Sequence, residues 1–174
     1  GYKEILFTSQ DTAAYGIDIN SNLVSLLKRI FLIHEEFRLR LGMANPNHIR
    51  SFENELVPIY GNPQIYRFLH IPVQSGDDQV LSDMRRDHTI KDYLATVSLF
   101  RKNIKDLYLC TDIIVGFPTE DENAFENTLK LVEKIRPDKI NLTRFSPRPG
   151  TTSIKMKQIP SWAVKERSRQ LNLL

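Results

Sequence analysis

The groups in this sequence that could do chemistry are polar side chains set where an α/β domain normally places apolar ones. Asp112 interrupts the apolar run Leu107–Val115. A carboxylate in such a run is costly unless it has partners. Arg38 and Arg40 alternate with Phe37, Leu39 and Leu41, so both project from one face of an extended segment. His70 stands inside Phe68–Ile71. Taken singly, each is better read as an outward residue at a helix–sheet seam or, for His70, a satisfied core histidine. Taken together, they are better read as the polar interior of an open barrel around a large polar ligand. A tightly packed barrel fills its centre with branched apolar side chains instead.

Other candidate groups follow the apolar stretches. Ser9-Gln10-Asp11 comes after the first, Gln74-Ser75-Gly76 after the third, Gly116-Phe117-Pro118 after the fourth and Ser146-Pro147-Arg148-Pro149-Gly150 after the fifth. In α/β folds, ligands sit at the carboxyl ends of strands, although loops there are polar in any case. No nucleophile elbow, phosphate-binding glycine loop or HExxH helix is present. The four histidines, at positions 34, 48, 70 and 88, are not at ligand spacing. The single cysteine, Cys110, supports neither a disulfide framework nor a thiolate-held metal cluster, and no metal site is expected. Cys110 reads as a buried structural thiol.

The elements that must position these groups alternate. Apolar stretches at Glu4–Thr8, Phe37–Met43, Phe68–Val73, Leu107–Val115 and Ile140–Phe145 read as strands. Leu23, Val24, Leu26, Leu27, Ile30 and Phe31 form a helical stripe, as do Ala124, Phe125, Leu129, Val132 and Ile135. Thr119 with Glu122 suggests a capping box for the latter, and Pro137 its stop. Thr89 with Asp92 suggests a similar start before Tyr93. Strands recur at roughly 30 to 40 residues, the length of a strand–helix unit, implying parallel strands with right-handed crossovers. The fold class is α/β, and pattern alone leaves a doubly wound sheet and a barrel both open.

The chain has 174 residues, 41% hydrophobic and 26% charged, which fits one ordinary globular domain. No run is long and apolar enough for a membrane span and no signal pattern opens the chain, so a cytoplasmic location is expected. Net charge is +3. The last stretch is more basic, with Arg148, Lys155, Lys157, Lys165, Arg167 and Arg169 against Glu166. It reads either as a polyanion-attracting tail or as a solvated helix face.

Read in order, the strand ends form a series. Ser9-Gln10-Asp11 with Tyr15-Gly16 comes first, then Leu39-Arg40-Leu41-Gly42-Met43 with Asn45-Pro46. His70-Ile71-Pro72-Val73-Gln74-Ser75-Gly76, Met84-Arg85-Arg86 and Thr89-Ile90-Lys91-Asp92-Tyr93 follow. Thr111 to Pro118 and Ser146 to Thr151 complete it. The series resembles the radical S-adenosylmethionine (SAM) core of the MiaB-type tRNA methylthiotransferases. Within that family, Ser9 to Gly16 and Arg40 to Pro46 look most like the archaeal and eukaryotic branch, which acts on N6-threonylcarbamoyladenosine beside the anticodon. Other branches act on isopentenyladenosine or a ribosomal protein.

The resemblance implies an incomplete parallel (β/α) barrel of about five strand–helix units. Residues 1–174 would be part of the catalytic domain, without the cysteine motif that holds the [4Fe–4S] cluster and without flanking domains. The first strand would keep an unpaired edge. The complete enzyme would use SAM, an electron donor and a 5′-deoxyadenosyl radical to methylthiolate tRNA, and this portion alone would be inactive. Ser9, Gln10 and Asp11 would take the amino end of methionine. Gln74 and Ser75 would meet the ribose or carboxylate, and Arg85 or Arg86 the carboxylate. Asp112, Ile114, Gly116 and Phe117 would line the adenine. Arg144, Arg148, Lys165, Arg167 and Arg169 would face RNA. A non-catalytic RNA-contacting module, or a barrel enzyme for a phosphorylated metabolite, are the other functions the residues allow.

Overall fold

The computed structural model describes residues 2–174. In chain order its elements are β1 (Glu4–Phe7), α1 (Leu23–Ile30), β2 (Arg38–Leu41), α2 (Pro46–Arg50), α3 (Glu53–Ile59), β3 (Phe68–His70), α4 (Asp78–Asp83), α5 (Ile90–Asn103), β4 (Tyr108–Val115), α6 (Glu122–Ile135), β5 (Lys139–Arg144) and α7 (Ser161–Leu171). Short 3-10 turns occupy Thr12–Ala14, Ile17–Ile19 and Thr152–Lys155. The chain divides into two units. One comprises the residues up to Pro72 with Asp92–Cys110, the other Val73–Lys91 with Thr111–Leu174.

In the first unit β1 and β2 are parallel, with Glu4 opposite Arg38 and Phe7 opposite Leu41. The other side of β2 takes the segment before β3. Leu39 N–H donates to the Gln64 carbonyl at 2.6 Å, and Tyr66 N–H donates to the Leu39 carbonyl at 2.9 Å. β3 then runs parallel to the start of β4, Phe68 opposite Tyr108 and His70 opposite Cys110. Each strand thus neighbours the next in sequence, the arrangement of a barrel wall. Among the described residues β1 pairs with β2 alone. Helix α1 starts where the Asn22 side chain accepts the Ser25 N–H at 2.8 Å, and it buries Leu23, Val24 and Leu27. Cys110 is buried and in no disulfide among the described residues, as read from its apolar strand.

Arg38 and Arg40 do share a face, and that face is built of rings and guanidinium groups. Arg38 lies over Tyr66 and Arg40 over Phe68, each at 5.5 Å, and Phe68 stacks on Tyr108. Glu4 reaches Arg40 at 3.4 Å. Arg38 stays exposed, and half-buried Arg40 is met by a ring quadrupole and one carboxylate.

In the second unit β5 lies beside β4. Residues of β4 alternate: Ile113 and Val115 are fully buried, whereas Asp112 and Ile114 are half-buried. Helix α6 turns Ala124, Phe125, Thr128, Leu131, Val132 and Ile135 inward, at helical spacing. Two sequence expectations need correction here. The cap of α6 is Asp121, whose side chain accepts the Ala124 N–H at 2.8 Å, not Thr119. Thr119 Oγ1 is buried without a hydrogen-bond partner, and Glu122 turns to an arginine instead of the backbone. The strand expected at Phe68–Val73 ends at His70, because Pro72 has no N–H to continue the ladder. Past the proline, Gln74 rejoins a single bridge opposite Ile113.

Candidate functional site

Each unit carries its unspent polar groups at the carboxyl ends of its strands. In the first unit, Ser9 and Gln10 leave β1 exposed, and neither side chain has a hydrogen-bond partner among the described residues. A cleft of about 380 Å³ beside them is lined by Thr8, Ser9, Thr12, Tyr15 and Leu23, among others. Asp11 is different. Its Oδ1 accepts the N–H groups of Ala13 and Asn45, both at 3.0 Å, and its Oδ2 meets His48 Nδ1 at 2.6 Å. Three of its roughly four acceptor positions are thus taken within the unit. Neither Asn45 nor His48 was among the residues singled out by sequence for a site. Asn45-Pro46 lay in the motif, but His48 read as one of four scattered histidines.

In the second unit, Gln74 is 8% exposed and has a φ of 74°, in the left-handed region. Its N–H donates to the Asp112 carbonyl and its own carbonyl accepts from Ile114, so the backbone is satisfied. Its side-chain amide has no partner among the described residues. The amide is not among the buried atoms that lack a partner, so it stays accessible at the strand end. Ser75 is fully buried and its Oγ accepts the Asp77 N–H at 3.3 Å, leaving the hydroxyl proton to donate. Asp112 Oδ1 accepts from Asn141 Nδ2 at 2.7 Å. That bond supplies the partner a carboxylate in this strand needs. Sequence reasoning missed Asn141, for it carries no motif.

Beyond β4, Gly116 has a φ of 84°, and a Cβ there would stand 2.6 Å from a methyl of Val164. Phe117 is nearly buried and packs edge-on against Phe145, with ring centroids 5.1 Å apart. The Gly116 N–H donates to Glu120 Oε1 at 3.0 Å. Burial pushes the Glu120 carboxyl above its ordinary value, against the Gly116 and Arg167 hydrogen bonds that lower it. Arg85 is exposed with a φ of 58° and closes α4, and Arg86 is half-buried. Neither guanidinium has a partner among the described residues, so both are free to take a carboxylate.

The basic residues separate into three kinds. Arg144, Arg148 and Lys165 are exposed and unpaired among the described residues. Arg169 is exposed but bonded to Glu166 at 2.7 and 3.0 Å, which holds that carboxyl down at about 2. Arg167 corrects its sequence assignment to RNA. It is 5% exposed, donates to Glu120 Oε1 at 2.7 Å, to the Glu120 carbonyl at 2.8 Å and to Glu122 at 2.7 Å, and lies over Phe125. A guanidinium so enclosed cannot reach a phosphate. Sequence reading counted its charge but could not see that α7 turns it inward.

Parallel strands joined by helices, with uncommitted polar groups at their carboxyl ends, are the features of a (β/α)-barrel domain. Residues 1–132 match the radical SAM superfamily, and the chain belongs to it. It is 53% identical over 172 residues to the "probable threonylcarbamoyladenosine tRNA methylthiotransferase" of Pyrococcus abyssi, covering 99% of this chain and 40% of that protein. It is 42% identical to the human threonylcarbamoyladenosine tRNA methylthiotransferase, covering 99% of this chain and 30% of that protein. The chain thus spans well under half the length of the relatives it matches. Among solved structures, the coproporphyrinogen III oxidase HemN of Escherichia coli, a radical SAM enzyme, superposes with a TM-score of 0.71 at 17% identity. The match covers 99% of this chain and 39% of that one, and shows the α/β radical SAM fold, consistent with part of a barrel.

The superfamily implies SAM and an iron–sulfur cluster. The cluster does not fit the residues of this chain. Cys110 is the only cysteine and is 2% exposed, and no group of His, Cys, Asp and Glu among the described residues could hold a metal. SAM meets no such obstacle, since the Gln74 amide and the guanidinium groups of Arg85 and Arg86 are uncommitted among the described residues.

Proposed function

We infer that this chain is the SAM-binding part of a tRNA methylthiotransferase that acts on threonylcarbamoyladenosine. The observation that carries the reading is the 53% identity, sustained over nearly the whole chain, to a relative bearing that name. The site geometry supports it. Gln74 and Ser75 offer an amide and a hydroxyl to the ribose or carboxylate, and Arg85 or Arg86 a charged fork to the carboxylate. Ile114 gives an apolar surface to the adenine, beside Asp112 held by Asn141. Gly116 and Phe117 shape the strand end that follows. Ser9 and Gln10 keep free side chains for the amino end of methionine, whereas Asp11 chiefly holds their turn in place.

Bound SAM supplies the radical and methyl chemistry of methylthiolation, and the cluster ligands come from outside these residues. The residues here bind, orient and exclude water. Arg144, Arg148 and Lys165 contact the tRNA. An electron donor serves the whole enzyme, which works in the cytoplasm.

Mass spectrometry of digested tRNA from cells lacking the protein tests the substrate. Loss of the 2-methylthio derivative of threonylcarbamoyladenosine, restored by the full-length gene, is expected. Persistence of that nucleoside, with no second enzyme making it, would overturn the assignment.

A further inference from the structure

The geometry points to α7 as a clamp on the end of β4, with Arg167 and Val164 as positioning residues for the adenosine part of SAM. This rests on the function inferred above. Val164 and Arg167 are one helical turn apart and act on the same short segment. Val164 fills the space where a side chain at Gly116 would stand. Arg167 fixes the Glu120 carboxylate and carbonyl, and that same carboxylate oxygen receives the Gly116 N–H. The turn from Gly116 to Glu120 is thereby held from both ends by one helix. Ile114, whose face would carry the adenine, lies two residues before it.

The cluster is not one that stability alone would select. Glu120 Oε2 and Arg167 Nε are buried with no hydrogen-bond partner. A buried ion pair with unpaired atoms is a weak source of stability and a costly arrangement. What it does provide is a fixed direction for the Gly116 N–H in a left-handed turn that only glycine adopts readily.

The test uses the full-length protein carrying Arg167→Lys, Arg167→Met or Val164→Ala. Three quantities are read: the dissociation constant for SAM, that for tRNA, and hydrogen exchange over residues 114–120 without ligand. A clamp predicts that Arg167→Lys, which keeps the charge but loses the planar fork, weakens SAM binding by roughly tenfold or more. tRNA binding should stay within about twofold, because no phosphate contact is lost. Exchange at Gly116 should quicken. The opposite pattern, with SAM binding unchanged and tRNA binding lost in Arg167→Met, would overturn the proposal. Should the arginine variants not fold, Val164→Ala decides, since it leaves the ion cluster intact. Faster exchange at Gly116 supports the clamp, and unchanged exchange with unchanged SAM binding refutes it. Failure of the wild-type protein to bind SAM would sink the function instead, and the exchange comparison would still judge the clamp.

Discussion

His48 Nδ1 lies 2.6 Å from Asp11 Oδ2, tying the turn after β1 to helix α2. The other Asp11 oxygen holds two backbone N–H groups, those of Ala13 and Asn45. One carboxylate therefore organises the ends of two adjacent strands, while its neighbours Ser9 and Gln10 stay uncommitted.

Asp11→Ala should destabilise the protein by about 1–3 kcal/mol, the range for losing a cap and leaving part-buried donors unpaired. Asp11→Asn should cost less, because the acceptor for Ala13 and Asn45 survives. Ser9→Ala and Gln10→Ala should leave stability within about 0.5 kcal/mol while weakening SAM binding. Denaturant unfolding of the four variants beside a SAM titration checks this. Equal stability losses in all four would show that Asp11 has no special structural role.

Gly116→Ala faces two separate obstacles, a positive φ and the methyl groups of Val164 at 2.6 and 2.8 Å. A loss of roughly 1–3 kcal/mol is expected from backbone strain, with more from the clash. Adding Val164→Ala should recover the steric part and not the strain, so the double variant should lie between wild type and Gly116→Ala. A double-mutant cycle measured by unfolding reads that coupling directly. Additive losses would mean that Val164 and Gly116 do not share the space.

The strands were legible because their pattern is local. Leu107–Val115 stood out as an apolar run, although its alternation in burial, with Ile114 half-buried between Ile113 and Val115, is not written in residue type. The break at Pro72 has a local signal too, a proline without an N–H, but the apolar run Phe68–Val73 masks it. Asp112 was recognisable as an anomaly, but its partner Asn141 is 29 residues away and carries no local signature. Arg167 shows the limit most clearly. Charge is visible in a sequence, whereas the direction in which a helix turns that charge depends on packing against Glu120 and Phe125. The cap of α6 failed on a smaller scale. Thr119 and Asp121 are both good caps, and only the backbone geometry chose between them.

Glu120 gives the protein a defined pH signature. Burial raises its carboxyl above the ordinary value of 4.5. The folded state then holds the proton more tightly than the unfolded state. This group's contribution is therefore most favourable below the ordinary value, and it declines as pH rises through that value towards the raised one. The stability difference between wild type and Glu120→Gln, measured from about pH 4 upward, should shift against the wild type across that window. A difference that grows in favour of the wild type would mean that Arg167 outweighs burial.

The surface cations should divide when tRNA binding by the full-length protein is measured against salt. Each phosphate contact contributes about 0.7–0.9 to the slope of log affinity against log salt. Arg144→Ala, Arg148→Ala and Lys165→Ala should each lower the slope by up to that amount. Their weakening of binding should be similar for all tRNAs, since phosphate contacts carry no sequence information. Arg169 should behave otherwise, because Glu166 answers its charge at 2.7 Å. Removing Arg169 alone exposes a carboxylate to the RNA and should weaken binding, whereas removing both charges should leave the slope near that of the wild type. A double variant that falls as far as Arg169→Ala would show that the arginine leaves its partner to reach a phosphate. Unchanged slopes for Arg144, Arg148 and Lys165 together would mean that the tRNA lies on another face.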